Sequence, residues 1–184
     1  MSRGAKLPDR LARSVSHVLL GTRGWSDEVA VQTVRSRPGL KVLEIGSGRQ
    51  DLGTNAYSLV DAFSTDVDFV QSDVNPAFGH RIVDVTDMGI EEEFDLILCM
   101  YVLEHVFDVR AAVANMRRAL RPGGTLVIAV PHVYPYHDEP LDFWRFTEHS
   151  LRELCADFSS VEIRHKGIRR FPKALLAIAR RDAA

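Results

Sequence analysis

Cysteine is nearly absent. The chain of 184 residues holds Cys99 and Cys155 alone, far apart, with no Cys-x-x-Cys and no histidine pair at zinc spacing. That excludes a disulfide framework and a structural zinc site as the basis of the fold, and a reducing compartment, the cytoplasm, is expected. Charge of one sign is also missing. The formal net charge is −2, so the broad basic footprint of a nucleic-acid binder is lacking and no nucleic-acid partner is expected. No apolar run approaches the roughly 20 residues of a membrane helix. Val15–Leu20 is too short and too polar for a signal-peptide core, so no membrane partner is expected. Internal repeats and low-complexity tracts are lacking too.

What is present is the composition of one soluble globular domain, with 46% apolar and 26% charged residues. A local basic excess (Arg3, Lys6, Arg10, Arg13, Arg23, Arg35, Arg37) marks the first forty positions and reads as a solvated helix face. Residues 9–20 predict a short amphipathic helix. Ser26 is expected to cap a second, with Asp27 and Glu28 in its first turn. Residues 1–37 thus form an N-terminal helical segment ahead of a main domain over 38–184.

From Pro38-Gly39 onward, strands and helices alternate. Strands are expected at Leu40–Ile45, Val67–Ser72, Arg81–Val85, Phe94–Met100 and Thr125–Val130, with two more at Ser160–His165 and Leu175–Ala179. Helices are expected around Asn55–Phe63, after Asp108 as cap, and after Thr147 as cap. The Asp108 helix should stop at Pro122-Gly123-Gly124. This order implies a doubly wound, mainly parallel sheet with helices on both faces. Only Asp73–His80 separates the second and third strands, too short for an ordinary crossover helix.

The chemistry concentrates at the carboxyl ends of these strands, where open α/β sheets bind ligands. Val42-Leu43-Glu44-Ile45 runs straight into Gly46-Ser47-Gly48, a turn whose glycines let a ligand approach the backbone. A dinucleotide fingerprint would need glycine where Asp51 stands, and no Gly-Lys-Ser/Thr follows for a triphosphate. Glu44 suits a cationic or zwitterionic ligand better than an anion. Asp73, at the tip of the second strand, can accept hydrogen bonds from both ribose hydroxyls. Alternatively it is a turn aspartate in Asp73-Val74-Asn75-Pro76. Asp84 closes the third strand.

Taken in order, these motifs resemble the class I S-adenosylmethionine-dependent methyltransferases over about residues 38–180. Glu44-Ile45-Gly46-Ser47-Gly48 is similar to the family's first motif. Asp73 matches its ribose-binding acid and Asp84-Val85 its adenine contact. Phe94-Asp95-Leu96-Ile97-Leu98-Cys99, followed by Val102-Leu103-Glu104-His105-Val106, resembles the fourth-strand signature. Leu120-Arg121-Pro122-Gly123-Gly124-Thr125-Leu126 resembles the turn before the fifth strand. The resemblance implies a Rossmann-like α/β fold with seven strands and S-adenosylmethionine as cofactor. The cofactor would be held by Glu44, Gly46, Ser47, Gly48, Asp73, Asp84, Val85, Cys99, Met100, Tyr101 and His105. Gln50 departs from the pattern, standing where the family usually has a further glycine.

Such a cofactor carries the hard chemistry. The protein aligns a nucleophile, an effect worth roughly 7–11 kcal/mol in favourable systems, and removes a proton where the acceptor carries one. The base is expected in Pro131–Phe146, which leaves the fifth strand at the carboxyl edge. His137 is the first candidate and His132 the second, with Tyr134, Tyr136, Phe143 and Trp144 as walls. Asp142 and Arg145 read as a structural ion pair. Residue type would allow His132, His137, Asp138 and Asp142 as a metal set, but no metal is expected. The function expected is methyl transfer to an oxygen or nitrogen of a small molecule, a glycan or natural-product intermediate. A non-catalytic binding or scaffold protein of the same fold is the alternative.

Overall fold

The computed structural model describes residues 21–33, 39–49, 58–138 and 140–183. The helix expected over 9–20, the flanking basic residues other than Arg23, and Gln50 and Asp51 lie outside them.

Seven strands form one sheet: β1 (Lys41–Ile45), β2 (Asp68–Asp73), β3 (Arg81–Ile82), β4 (Phe94–Met100), β5 (Leu120–Pro131), β6 (Ser160–Ile168) and β7 (Phe171–Arg180). Their order is β3-β2-β1-β4-β5-β7-β6. β7 runs antiparallel to both of its neighbours, and the other neighbouring pairs are parallel. The carboxyl ends of β1, β2, β4 and β5 therefore share one rim.

Side-chain alternation assigns each strand residue a face. Leu43, Ile45, Ile97, Cys99, Leu126 and Ile128 pack on one side, against helix α2 (Val109–Ala119) and helix α3 (Glu148–Leu154). Val42, Leu96, Leu98, Val127 and Ala129 pack on the other, against Val29 and Ala30 of helix α1 (Thr22–Thr33). The central strands are buried on both faces, which is why they read as continuous apolar runs. No described helix is long and apolar enough to cross a membrane.

Helix α2 begins where expected. Asp108 Oδ1 accepts the Ala111 N–H at 3.0 Å, and Arg117 and Arg118 occupy the last turn, as the helix dipole favours. Thr147 and Ser150 form a capping box on α3.

Several expected boundaries are corrected. α1 starts at Thr22, so Ser26 lies inside it rather than capping it, and the first turn carries no acid. The Ser26 hydroxyl donates back to the Arg23 carbonyl at 2.8 Å, a local bond that a helix interior tolerates. Of the helix expected at Asn55–Phe63, the described part is a single 3-10 turn, Val60–Ala62. β3 ends at Ile82 rather than Val85, because Asp84 Oδ1 draws the Thr86 N–H (2.8 Å) and hydroxyl (2.7 Å) into a turn. The segment 120–124 belongs to β5 rather than ending α2 as a loop. The short link from β2 to β3 is a 3-10 turn at Pro76–Phe78, capped by Asn75 and closed by Gly79 with φ +76°.

Candidate functional site

The glycine turn after β1 is built from the inside. Glu44 alternates onto the α1 face and is buried. Its Oε1 accepts the Leu59 N–H at 2.7 Å and its Oε2 accepts the Ser47 hydroxyl at 2.7 Å. Burial raises its pKa, and bonds from Ser58, Leu59 and Ser47 work against the rise. The acid that the sequence offers to a ligand thus braces its own loop: both carboxylate oxygens already have protein donors, and the Ser47 side chain is likewise engaged. Gly46 and Gly48 sit at φ +71° and +54°. A Cβ on Gly46 would come within 2.6 Å of Val102 Cγ2, so glycine is required there.

Asp73 stands beside this turn at the end of β2. Its Oδ2 accepts the Gly48 N–H at 3.0 Å and its Oδ1 accepts the Asn75 N–H at 2.9 Å. The ribose-acid and turn-aspartate readings are therefore compatible. The same carboxylate shapes the turn and lies at the rim. His80 Nε2 is 2.9 Å from the Gly48 carbonyl and adds a third brace, one that the sequence did not single out. Asp84 lies past β3 with one oxygen committed to Thr86. The Val85 side chain is in the core, and its carbonyl accepts from Asn115 Nδ2 at 3.0 Å.

At the end of β4, Cys99 is wholly buried and its thiol pKa is pushed up by that burial. Its side chain belongs to the core and is not offered to a ligand. Met100 is half-buried. Tyr101 takes a left-handed φ of +58°. Its hydroxyl meets the Ser26 hydroxyl at 3.1 Å, and burial lifts its pKa to about 12.

The chain then makes a 3-10 turn, Leu103–His105, on which the segment after β5 hangs. The Glu104 carbonyl accepts the Phe143 N–H at 2.7 Å, the Val106 carbonyl accepts the Trp144 indole N–H at 3.0 Å, and the Leu141 carbonyl lies 2.7 Å from His105 Nδ1. These contacts bring His137 onto His105, with ring centroids 4.8 Å apart and nearly perpendicular, while Tyr134 edges the His137 ring at 5.0 Å. His137 Nδ1 lies 3.1 Å from Asp142 Oδ2, whose side chain is 1% exposed. Arg145 holds Asp142 with two bonds of 2.5 and 2.7 Å, the ion pair expected. Burial pushes the Asp142 pKa up, but Arg145 and the His137 backbone N–H outweigh it and bring it to about 2. Phe143 and Trp144 are exposed and cluster with Phe107, rather than walling an interior pocket. Tyr136 is exposed as well.

His132 lies elsewhere. Its Nδ1 is 2.6 Å from the Phe146 carbonyl, and it lines a separate cleft of about 320 Å³ with His149, His165 and Arg169. Sequence reasoning missed Glu104. It is buried beside His105 and His137, and its burial raises its pKa to about 8, against the pull of the Arg145 charge. The available signal was an acid directly preceding a histidine just past a strand's carboxyl end.

Known proteins are similar to this chain in sequence and fold. The family described as "Methyltransferase domain" matches residues 17–166. A ubiquinone biosynthesis O-methyltransferase from Bradyrhizobium sp. is 33% identical over 101 residues, covering 50% of this chain and 40% of that protein. The hybrid PKS-NRPS synthetase gkaA from Penicillium citrinum is 29% identical over 142 residues, 65% of this chain but 4% of the synthetase. The chain therefore spans less than half the length of these relatives. The crystal structure of a SAM-dependent methyltransferase from Archaeoglobus fulgidus superposes with a TM-score of 0.62 at 14% identity, covering 84% of this chain and 94% of that one, a likeness of fold. With its motifs in order, its sheet topology and a family match over most of its length, the chain belongs to the class I S-adenosylmethionine-dependent methyltransferases.

Proposed function

We propose that the protein transfers the methyl group of S-adenosylmethionine to an oxygen or nitrogen of a small molecule, an intermediate of glycan or natural-product assembly. The observation that carries this reading is the rim itself. The Asp73 carboxylate stands 3.0 Å from the backbone of the glycine turn. Glu104 and His105 follow β4, two strands away from β2 in the sheet, and His137, from the segment after β5, joins them there. Relatives named for ubiquinone O-methylation and for a PKS-NRPS synthetase support a small organic acceptor.

S-adenosylmethionine, when bound, supplies an electrophilic methyl group on a sulfonium. The glycine turn Gly46–Gly48 would lie against its amino-acid end, and the Asp73 carboxylate would hold its ribose. Asp84 and Val85 would flank the adenine, with Met100, Tyr101 and His105 toward the methyl end. His137 takes the acceptor's proton. Asp142 orients the imidazole and stabilises its charged form, and Arg145 keeps that carboxylate ionised. The segment over 131–146, fastened to residues 104–106, holds the acceptor and excludes water. His132 has no part in this centre.

The test is calorimetric titration with S-adenosylhomocysteine, followed by mass-spectrometric detection of methylated phenols, sugars and amines. Micromolar binding with turnover of at least one acceptor class is expected. Absence of binding sinks the reading.

A further inference from the structure

The Glu104–His105–His137 cluster has the composition and outer support of a cation site. We propose that these three side chains bind one divalent transition-metal ion of the zinc or cobalt kind. One donor atom from each lies within 4.8 Å of those from the other two. A tetrahedral ion with bonds of about 2.0–2.2 Å needs donors roughly 3.3 Å apart, within reach of small side-chain rotations. Two imidazoles and one carboxylate are a set that holds such ions while leaving a fourth position open.

The outer shell points the same way. Histidine ligands characteristically give their second ring N–H to a carbonyl or carboxylate. His105 Nδ1 is 2.7 Å from the Leu141 carbonyl, which can only accept, so the proton sits on Nδ1 and Nε2 carries the lone pair. Asp142 Oδ2 accepts the His137 backbone N–H at 3.0 Å and lies 3.1 Å from His137 Nδ1, an ion-pair contact, and Arg145 fixes Asp142 in turn. A second, independent observation concerns Glu104. The residue is 2% exposed, and its Oε2 is buried without a hydrogen-bond partner among the described residues. Native structures rarely leave a buried carboxylate oxygen unmatched, and a cation bound by this carboxylate would satisfy it. The sequence expects no metal, and its conceivable set included His132, Asp138 and Asp142. The fold instead leaves His132 outside and uses Asp142 as support.

The catalytic consequence rests on the methyltransferase reading; the binding itself does not. The base role of His137 is that of the metal-free protein; with the ion bound, its lone pair is engaged as a ligand and the ion takes over the activation of the acceptor. An acceptor hydroxyl at the open position is acidified by the ion and loses its proton to solvent. Its oxygen then bonds to the methyl carbon as the carbon–sulfur bond breaks, the electron pair remaining on sulfur.

The experiment uses the whole chain, stripped with a chelator and titrated with Zn2+ and, separately, Co2+. Elemental analysis and the visible absorption of Co2+ are the readouts, and S-adenosylhomocysteine affinity is measured in parallel. One equivalent is expected, with a visible band of four- or five-coordinate cobalt. Glu104→Gln and His137→Gln should each weaken binding at least about 100-fold, and Asp142→Asn about 10- to 100-fold, with circular dichroism confirming folded variants. Substoichiometric uptake by the wild type overturns the proposal. So does a full equivalent retained by folded His105→Asn/His137→Gln. Metal uptake without S-adenosylhomocysteine binding would sink the methyltransferase reading and leave the metal site standing.

Discussion

The backbone N–H of Gly48 donates to Asp73 Oδ2 at 3.0 Å, tying the turn after β1 to the tip of β2. A second bond along the same seam, from the Ser47 N–H to the Ser72 carbonyl at 2.9 Å, keeps the two strand ends in register beyond the sheet. One carboxylate thereby sets the shape of the glycine turn. Its ionised form offers about four acceptor positions, of which the described residues Gly48 and Asn75 occupy two, so among the described contacts two are left for a ligand's hydroxyls.

Asp73→Ala is therefore expected to lower S-adenosylhomocysteine affinity by about 1–3 kcal/mol, the range for hydrogen bonds to a charged group. Asp73→Asn should lose less, because an amide oxygen still accepts from Gly48. Titration calorimetry measures both, and an unchanged affinity in the alanine variant would show that the ribose is held elsewhere.

Gly46→Ala is expected to damage the protein through two separable effects. The left-handed φ of +71° costs a side-chain-bearing residue about 1–2 kcal/mol, and the new methyl meets Val102 Cγ2 at 2.6 Å. Adding Val102→Ala removes the contact but not the backbone strain. The double variant should recover part of the stability lost in urea unfolding, and full recovery would mean that φ is not the constraint.

Alternation and capping made most of the fold legible. Val42/Leu43 and Ile97/Leu98 each divide between two cores, and Asp108 and Thr147 cap as their positions suggest. What the sequence did not show depended on side-chain partners that are not legible in one dimension. Ser26 reads as a cap because cap and back-bonded serine look alike in one dimension. The bracing task of Glu44 was hidden because nothing in the sequence reveals that Leu59 folds back to donate to it. The site was half legible for the same reason. Asp73 and the glycines follow strand ends, whereas the meeting of Glu104 and His137 depends on how the segment after β5 hangs from the turn after β4.

His137→Ala is expected to lower turnover by about 10²–10⁴-fold, the usual contribution of a positioned acid or base, with S-adenosylhomocysteine affinity changed little. His132→Ala should leave turnover within a few-fold of wild type, since its ring is tied to the Phe146 carbonyl on a different cleft. Steady-state kinetics on one acceptor separates the two. Equal losses in both variants would move the chemistry out of the His105–His137 cluster.

Acid stability should depend on a site far from the chemistry. Arg81 grips Glu93 with two bonds, of 2.8 and 3.1 Å, and Lys41 Nζ reaches the same carboxylate at 3.1 Å, joining β1 and β3 to the residue just before β4. The Arg81 hydrogen bonds hold the Glu93 pKa at about 2, below its ordinary 4.5, although partial burial works against them. Between those values the unfolded chain binds a proton that the folded one does not. The contribution to stability is therefore complete above about pH 4.5 and disappears as pH falls through about 2. Glu93→Gln removes this dependence. Wild type should lose more of its urea stability than the variant between about pH 6 and pH 3, and added salt should narrow the gap because these side chains are partly solvated. Parallel curves would mean that the triad does no electrostatic work in the folded state.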